Sequence, residues 1–248
     1  MTALAGVPGY VPRWAIPTNV RAWISTREQG ASRPPFSHFN LANHVGDDPA
    51  AVAANRATLE HALGYPPRWL TQVHGTIVVE ASSVHAPVVA DAAVTRQAGV
   101  VCTVMTADCL PILLASRNGK VIGIAHAGWR GLAAGVVEAT VRAMACDGAA
   151  ISAYLGPAIG PERYEVGADV RDAFVALDRA ASAAFKLHRD HPDKFLCDLY
   201  ELARQRLFGL GISAVAGGES CTVRDERRYF SYRRDGRTGR MATMIWMV

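Results

Sequence analysis

The sequence predicts an α/β protein, a mixed-sheet sandwich with flanking helices. Short runs rich in β-branched residues are interspersed with amphipathic segments of helical period. The runs at 68–74 and 76–80 are too close for a helical crossover, so we expect some strand pairs to be antiparallel. The chain has 248 residues, of which 50% are hydrophobic and 19% charged, enough apolar material for one large core. We expect one domain over 1–248, with 1–19 as an N-terminal extension.

Each predicted strand is short, apolar or alternating, and bounded by Gly, Pro or polar residues. The predicted strands are 20–25, 68–74, 76–80, 100–105, 120–126, 151–155 and 241–247, and the apolar run 110–115 is a further buried strand. The predicted helices are 47–64, 131–145, 169–180 and 196–211. Asp48 can cap the first helix, Pro49 suits its first turn and Gly64 ends it. The segment 27–39 is expected to be one long loop, and such loops are often functional.

Composition narrows the class of protein. The first residues lack a basic start and an uninterrupted apolar stretch, and no run approaches the ~20 apolar residues of a membrane span, so we expect a cytoplasmic protein without a membrane partner. Five cysteines without close spacing predict reduced thiols. The net charge of +4 is carried mainly by Arg, which favours small anionic ligands over nucleic acid. No feature indicates an obligate protein partner.

Three residues are candidates for a metal site because each is expected at a strand end: His74 in "TQVHG", Cys109 in "TADCLP" and His126 in "GIAHAGWRG". Two imidazoles and a thiolate suit zinc, and three protein ligands leave a fourth position open, as in catalytic zinc sites. Their spacing resembles no zinc finger. From the pattern alone, three separate structural side chains remain an alternative, since a lone His or Cys is usually structural.

Candidate anion ligands lie in three segments. Arg130 follows a strand within "AHAGWRGLAAG" and precedes a helix N-terminus, although it could equally be a solvated turn residue. Arg56 shares a helix face with apolar residues, so it either meets an anion or snorkels along the core edge. Residues 221–241 carry seven arginines among aromatic residues. That segment suits single-stranded nucleic acid, a small-molecule pocket or a plain solvated hairpin.

Several motifs resemble a bacterial family variously called multicopper polyphenol oxidase, laccase-domain protein, purine nucleoside phosphorylase or peptidoglycan editing factor. They are "NLANHVGDDPAAVAANR", "QVHG", "DAAVT", "TADCLPILLA", "AHAGWRGLAAGVVEATV", "GPAIGPERYEVG" and "YFSYRRDGRTGRMATMIWM", in order from about residue 20 to the C-terminus. The resemblance implies the fold of the catalytic domain of cytotoxic necrotising factor toxins. It also implies that His74, Cys109 and His126 are the metal ligands. Ala93 is smaller than the usual residue of "DAAVT", while Asp91 and Thr95 are kept.

The family names imply different reactions. A laccase needs a trinuclear copper cluster held by His-x-His pairs, and this chain has 8 histidines and no such pair, so we expect Zn²⁺, with Cu²⁺ able to occupy the same ligands. The phosphorylase members imply phosphorolysis of adenosine, inosine and S-methyl-5′-thioadenosine, with adenosine deamination as a side activity. The expected substrate contacts are Asn40, Arg56, Arg130, Arg233 and Arg234, and the proton-relay candidates are Asp108 and Asp91.

Two other classes remain open from the sequence. A metal-free amide hydrolase would use Cys109 as nucleophile and His126 as base, in keeping with the toxin-domain resemblance and the peptidoglycan-editing name. A non-catalytic protein that binds metal or nucleotide is the third. A copper-dependent polyphenol oxidase is the reading that the sequence supports least.

Overall fold

The computed structural model describes residues 4–248. In that range the strands are β1 (Gly9–Tyr10), β2 (Val20–Ser25), β3 (Pro67–Arg68), β4 (Leu70–Thr71), β5 (Val78–Glu80), β6 (Val88–Val89), β7 (Ala92–Thr95), β8 (Val101–Thr106), β9 (Leu110–Ser116), β10 (Ile122–Ala127), β11 (Ile151–Leu155), β12 (Glu165–Gly167), β13 (Phe185–Leu187), β14 (Lys194–Cys197), β15 (Ala214–Gly217) and β16 (Met241–Met247). The α-helices are α1 (Pro49–Leu63), α2 (Trp129–Ala134), α3 (Val136–Met144), α4 (Ala168–Val175), α5 (Leu199–Gly209) and α6 (Tyr232–Asp235).

Two large sheets pack face to face. One has the order β1-β2-β16-β8-β3 and the other β15-β11-β9-β10-β7-β5. Side chains such as Val104 and Ile245 from the first sheet meet Leu113, Ile122 and Ile124 from the second in a hydrophobic layer. Helix α1 covers the outer face of the first sheet, and α3 and α5 cover that of the second. The predicted mixed-sheet sandwich with flanking helices is therefore confirmed.

The strand pairing differs from one expectation. Segments 68–74 and 76–80 do not pair with each other, because β3 runs parallel to β8, β4 parallel to β6 and β5 parallel to β7. The antiparallel pairs of the large sheets are instead β1 with β2, β9 with β10 and β11, β10 with β7, and β16 with β2 and β8. Mixed sheets result, as predicted, but from other pairs.

The first helix forms as predicted. The Asp48 carboxylate accepts a hydrogen bond from Ala50 N, and Gly64 ends the helix in the left-handed conformation with φ 73°. The predicted helix 131–145 is two helices, α2 and α3, because Gly135 between them adopts φ 97°. The other two predicted helices are shorter. A small sheet, β12-β14-β13, was not predicted, since its strands have only three or four residues.

Residues 4–19 pack against the sandwich. Strand β1 pairs with β2, and Trp14 Nε1 donates a hydrogen bond to Ser152 Oγ while its ring lies 5.2 Å from that of Tyr154. Residues 1–3 of the expected extension lie outside the described residues. All five cysteines are free thiols, as expected. Among the helices of residues 4–248, none is both long and apolar enough to span a bilayer.

Candidate active site

The side chains of His74, Cys109 and His126 form one cluster, in which one ligand atom from each lies within 4.8 Å of the others. Cys109 Sγ is 3.6 Å from His74 Nε2. The two imidazole rings meet edge to face with centroids 4.8 Å apart. The structure therefore brings together the three residues that the sequence predicted as ligands, although 35 and 17 residues separate them along the chain.

The buried carboxylate of Asp91 fixes the conformation of the backbone around His74 by hydrogen bonds. It accepts hydrogen bonds from the N–H groups of Val73, His74 and Gly75, at 3.2, 2.9 and 2.7 Å. These bonds hold His74 in the left-handed region with φ 62°, which a non-glycine residue rarely adopts. His74 was expected to close a strand, but β4 ends at Thr71, so the turn around Asp91 presents this imidazole instead.

Asp91 also orients His126. Its Oδ1 atom lies 2.8 Å from His126 Nδ1, so the Nδ1–H group of the imidazole donates to the carboxylate and Nε2 is left for the cluster. Burial disfavours the charged carboxylate, but hydrogen bonds from His126 and Gly75 outweigh that effect and lower the pKa of Asp91. Asp91 therefore stays ionised and fixes the tautomer in which His126 could bind a metal.

The position of Cys109 favours its thiolate. Burial opposes ionisation, yet the charge of His126 and hydrogen bonds from His126 and His74 lower the pKa of the thiol to about 6. In the same pair the thiolate and Asp91 outweigh burial and raise the pKa of His126 to about 9. Without a metal, the pair is a thiolate beside an imidazolium. Metal binding keeps the thiolate and releases the imidazolium proton.

The cluster fits zinc by two observations. With Zn–S and Zn–N bonds of ~2.3 and ~2.1 Å, a tetrahedral site separates S from N by about 3.6 Å, and the distance between Cys109 and His74 has that value. The absence of a side chain at Gly128 provides the space for the cluster, because a Cβ atom there would lie 2.7 Å from His74 Cδ2 and 3.0 Å from Cys109 Sγ. Two imidazoles, one thiolate and a carboxylate behind one imidazole match a three-ligand zinc site with an open position.

Two cavities meet at this cluster. The larger, of about 280 Å³, is lined by His44, Gln72, His74, Met105, Thr106, Ala107, Cys109, His126, Tyr232 and Arg240. The smaller, of about 140 Å³, is lined by His74, Ala107, Asp108, Cys109, Trp129, Arg130, Ile159, Tyr164, Leu199, Tyr232 and Arg233. His74, Ala107, Cys109 and Tyr232 belong to both linings, so the ligand cluster lies at the junction of the two cavities.

The larger cavity contains groups that the sequence analysis missed. Gln72 donates from Nε2 to Met105 O and accepts from Met105 N with Oε1, both at 2.8 Å, which fixes the segment before His74 against the end of β8. His44 is exposed and lines the mouth of the cavity, and partial burial of its imidazole and the nearby Arg240 lower the pKa of that imidazole. In the sequence, only the adjacency of Gln72 to the "VHG" motif pointed to this group.

The smaller cavity carries two guanidinium groups. Arg130 stacks on Trp129 with 4.4 Å to the ring centroid, and Arg233 lies 5.3 Å from the centroid of Tyr164. Arg233 Nη1 also donates to Glu165 O at 2.9 Å. Asp108 accepts a hydrogen bond from the backbone N–H of Arg233 at 2.7 Å, so this carboxylate positions the arginine. Both arginines were predicted as anion ligands.

Three other predicted substrate contacts lie outside both linings. Asn40 is fully buried. Its amide nitrogen donates to Ala42 O and to Asp47, and its amide oxygen accepts from the backbone N–H groups of Ala42 and Arg240. Arg56 donates from Nε to Leu41 O at 2.8 Å and stacks on Trp69. Arg234 binds the carbonyls of 222, 223 and 229 and the Asp235 carboxylate. These three residues shape the loops around the site, and their contact with substrate stays a prediction.

The profile of a family described as "Multi-copper polyphenol oxidoreductase laccase" matches residues 21–248. The chain belongs to this family. Its members include a purine nucleoside phosphorylase of Pseudomonas aeruginosa, 50% identical over 95% of this chain and 97% of the relative. A purine nucleoside phosphorylase of Escherichia coli is 49% identical over 96% of this chain and 98% of the relative. The family resemblance predicted from the motifs is confirmed.

Solved structures agree with the family assignment. A Neisseria meningitidis protein superposes with a TM-score of 0.94 at 45% identity, covering 96% of this chain and 98% of that one. A Geobacillus stearothermophilus protein superposes with a TM-score of 0.84 at 32% identity, covering 93% of this chain and 92% of that one. The laccase-type sandwich described above is therefore the fold of the family.

The copper chemistry in the family's description does not match the donors of this chain. Within residues 4–248, the groups of three metal-capable His, Cys, Asp or Glu side chains are His74 with Cys109 and His126, and Glu165 with His188 and His191. A trinuclear copper cluster needs many more imidazoles in one place. Each of these two groups could hold a single ion.

Proposed function

We propose that the chain is a zinc-dependent purine nucleoside phosphorylase that acts on adenosine, inosine and S-methyl-5′-thioadenosine. One observation carries the proposal: the candidate ligand cluster lies at the junction of two cavities, one of which is lined by both Arg130 and Arg233. A phosphorolytic enzyme needs a nucleoside and an anion on the two sides of one reacting carbon. The names of relatives at about half identity support the same reaction class.

The smaller cavity suits phosphate. Arg130 and Arg233 are held by stacking on aromatic rings, which leaves guanidinium N–H groups for an anion. Asp108 fixes the backbone of Arg233, and the Glu165 carbonyl holds one of its nitrogens. Since an anchored guanidinium loses less entropy on binding than a mobile one, phosphate would be bound in a fixed orientation next to Cys109.

The larger cavity suits the nucleoside. Its volume of about 280 Å³ lies near the lower end of the ~300–1,000 Å³ range of small-molecule sites. Met105 and the exposed ring of Tyr232 offer apolar faces for a purine, and His44, kept neutral by its lowered pKa, offers a hydrogen bond without charge. Tyr232 borders both cavities, so the ribose would lie beneath it, between base and phosphate.

In the reaction, an oxygen of hydrogen phosphate forms a bond to C1′ while the bond from C1′ to the purine nitrogen breaks, and the proton of the hydrogen phosphate passes to the purine, giving free base and a sugar 1-phosphate. His74, Cys109 and His126 would hold the zinc ion, which would supply a Lewis acid. Arg130 and Arg233 hold the attacking anion, and the walls of both cavities exclude bulk water. A proton-relay role for Asp108 is part of the proposal. In the structure, the carboxylate of Asp108 accepts hydrogen bonds from Thr222 and from the backbone N–H of Arg233.

The test is chromatography of adenosine, inosine and S-methyl-5′-thioadenosine incubated with the protein, with and without phosphate. Phosphorolysis predicts free adenine or hypoxanthine only when phosphate is present. The deaminase side activity predicts inosine from adenosine without phosphate. A protein that releases no base from any of the three nucleosides, while it contains stoichiometric zinc, contradicts the proposal.

One observation favours a second candidate, a Cys/His amide hydrolase. The pKa of Cys109 near 6 gives a thiolate beside His126, the arrangement of a nucleophile with its base. The two candidates respond oppositely to chelation. Removing the metal abolishes phosphorolysis, whereas a thiol hydrolase keeps or gains activity in chelator and is inactivated by iodoacetamide.

A further inference from the structure

A second group of candidate ligands lies on the small sheet, away from the catalytic cluster. Glu165 of β12 and His188 and His191 of the connection between β13 and β14 place one ligand atom each within 4.8 Å of one another. Glu165 Oε2 is 2.8 Å from His191 Nδ1 and 3.7 Å from His188 Nε2. Two imidazoles and one carboxylate thus converge on one point.

The hairpin that carries the two histidines is tightly closed. His188 N donates to Lys194 O at 2.9 Å, and Lys194 N donates to His191 O at 3.0 Å. Strand β14 is central in the small sheet and pairs Glu165 with Leu196. The backbone therefore holds both histidines beside Glu165 before any ligand binds, which reduces the entropy cost of forming a site.

The three side chains of this cluster already face one another. The hydrogen bond from His191 lowers the pKa of Glu165, which favours the carboxylate form. The two imidazole rings are stacked with centroids 4.6 Å apart and an angle of 15°. A divalent cation beside the carboxylate would bind one nitrogen lone pair of each ring.

Two features oppose binding. Lys194 is a positive charge near Glu165. His188 Nδ1 accepts a hydrogen bond from Asp190 N at 3.2 Å, and this bond must open if Nε2 is to bind a metal, because Nδ1 then carries the proton. The bond is long and lies at an exposed hairpin tip, so its loss costs little compared with a metal–imidazole bond.

We propose that Glu165, His188 and His191 form a second binding site for a divalent transition metal, independent of the catalytic cluster. Two imidazoles and a carboxylate suit Zn²⁺ and related borderline ions, with water completing the coordination. The bound ion would link the hairpin 188–193 to β12 through bonds to the two histidines and to Glu165. Because Glu165 O also accepts from Arg233, this strand contacts the arginine cavity as well.

The test is equilibrium dialysis of chelator-stripped protein against buffered free Zn²⁺, followed by elemental analysis. The His74→Ala/Cys109→Ala variant, which lacks two catalytic ligands, isolates the second site and is expected to bind one zinc per chain. Adding His188→Asn and His191→Asn is expected to abolish that binding, and adding Glu165→Gln to weaken it at least tenfold. The matched control adds His61→Asn and His85→Asn, two other exposed histidines, and is expected to keep one zinc.

A second measurement protects the test against misfolding of the background variant. In the wild-type chain, zinc is expected to slow tryptic cleavage after the exposed Arg189. This protection is expected to be absent in His188→Asn/His191→Asn protein, which is digested at the same zinc concentration and so controls for any effect of zinc on trypsin itself. The proposal is overturned if wild type and the His188→Asn/His191→Asn variant bind equal amounts of zinc, or if zinc leaves cleavage after Arg189 unchanged in the wild type.

Discussion

Replacing Asp91 with Asn tests how the cluster is assembled. In the wild type Oδ1 accepts from His74 N and His126 Nδ1, and Oδ2 accepts from Val73 N and Gly75 N. If the amide NH₂ replaces Oδ2, two partly buried backbone N–H groups lose their acceptor. If it replaces Oδ1, His74 N loses its acceptor and His126 must accept at Nδ1, which puts its proton on Nε2, where the metal binds.

Either orientation has a measurable cost. An unpaired buried N–H costs about 1–3 kcal/mol, so the free energy of unfolding should fall by about 2–3 kcal/mol. For a chain of this size that corresponds to a decrease in Tm of about 4–12 °C. Loss of the carboxylate behind a ligating histidine weakens metal binding by about 10–100-fold.

The assays are differential scanning calorimetry of the metal-free protein and competition for zinc with a chromophoric chelator. Asp172→Asn is the matched control, because that side chain is 64% exposed and contacts only Arg171. The reasoning is refuted if Asp91→Asn protein unfolds at the wild-type temperature and binds zinc within twofold of the wild-type affinity.

Three further predictions concern the same site. In a His188→Asn/His191→Asn background, which removes the second proposed zinc site, Gly128→Ala should lose zinc, since φ −63° and ψ 157° suit any residue and the closest contacts of the added Cβ are with His74 and Cys109. Gly209→Ala in the same background, whose Cβ meets nothing within 4 Å, should keep its zinc, and a zinc-replete Gly128→Ala protein would contradict the steric argument. Arg233→Gln should raise the KM for phosphate about 10–100-fold by loss of charge-assisted hydrogen bonds, whereas Arg234→Gln should lower the Tm and leave that KM unchanged; equal effects on KM would refute the assignment of the smaller cavity. In metal-free protein, the rate at which iodoacetamide alkylates Cys109, measured by peptide mass spectrometry, should rise with pH through about 6, because the lowered pKa makes the thiolate dominant above that value. A midpoint near the ~8.5 of free cysteine would argue against the thiolate–imidazolium pair.

The strand-end pattern left a shared cluster of His74, Cys109 and His126 as one of two alternatives, and the family resemblance favoured it. "TADC" follows a buried strand, and "AHAGWRG" crosses from a strand into a helix. What the pattern could not show is the conformation at His74, whose left-handed φ depends on a carboxylate 17 residues away. No local propensity encodes such a contact.

The arginines illustrate the limit of sequence reasoning about substrate contacts. Arg233 and Arg234 are adjacent and chemically identical, yet one lines the smaller cavity and the other binds the carbonyls of its own loop. Asn40 is likewise predicted to contact substrate, and in the fold its side chain binds Ala42, Asp47 and the backbone of Arg240. Hydrogen-bond partners far apart in the chain decide these roles, and they follow only from the tertiary structure.

The small sheet was missed for a different reason. Its strands have three or four residues, too few for alternation to be distinguished from a loop, and they are stabilised by pairing with β14 rather than by their own pattern. The cluster of Glu165, His188 and His191 depends on that pairing. Without the sheet, nothing in the sequence connects Glu165 with the hairpin.

Phosphorus-31 NMR of inosine and phosphate, followed with protein of known zinc content, tests the central claim most directly. The account predicts that a sugar 1-phosphate signal grows in step with free hypoxanthine, stops when the zinc is stripped and resumes when one equivalent is returned to the His74–Cys109–His126 cluster. Hypoxanthine released without a sugar 1-phosphate, or phosphorolysis at the full rate by zinc-free protein, would contradict it.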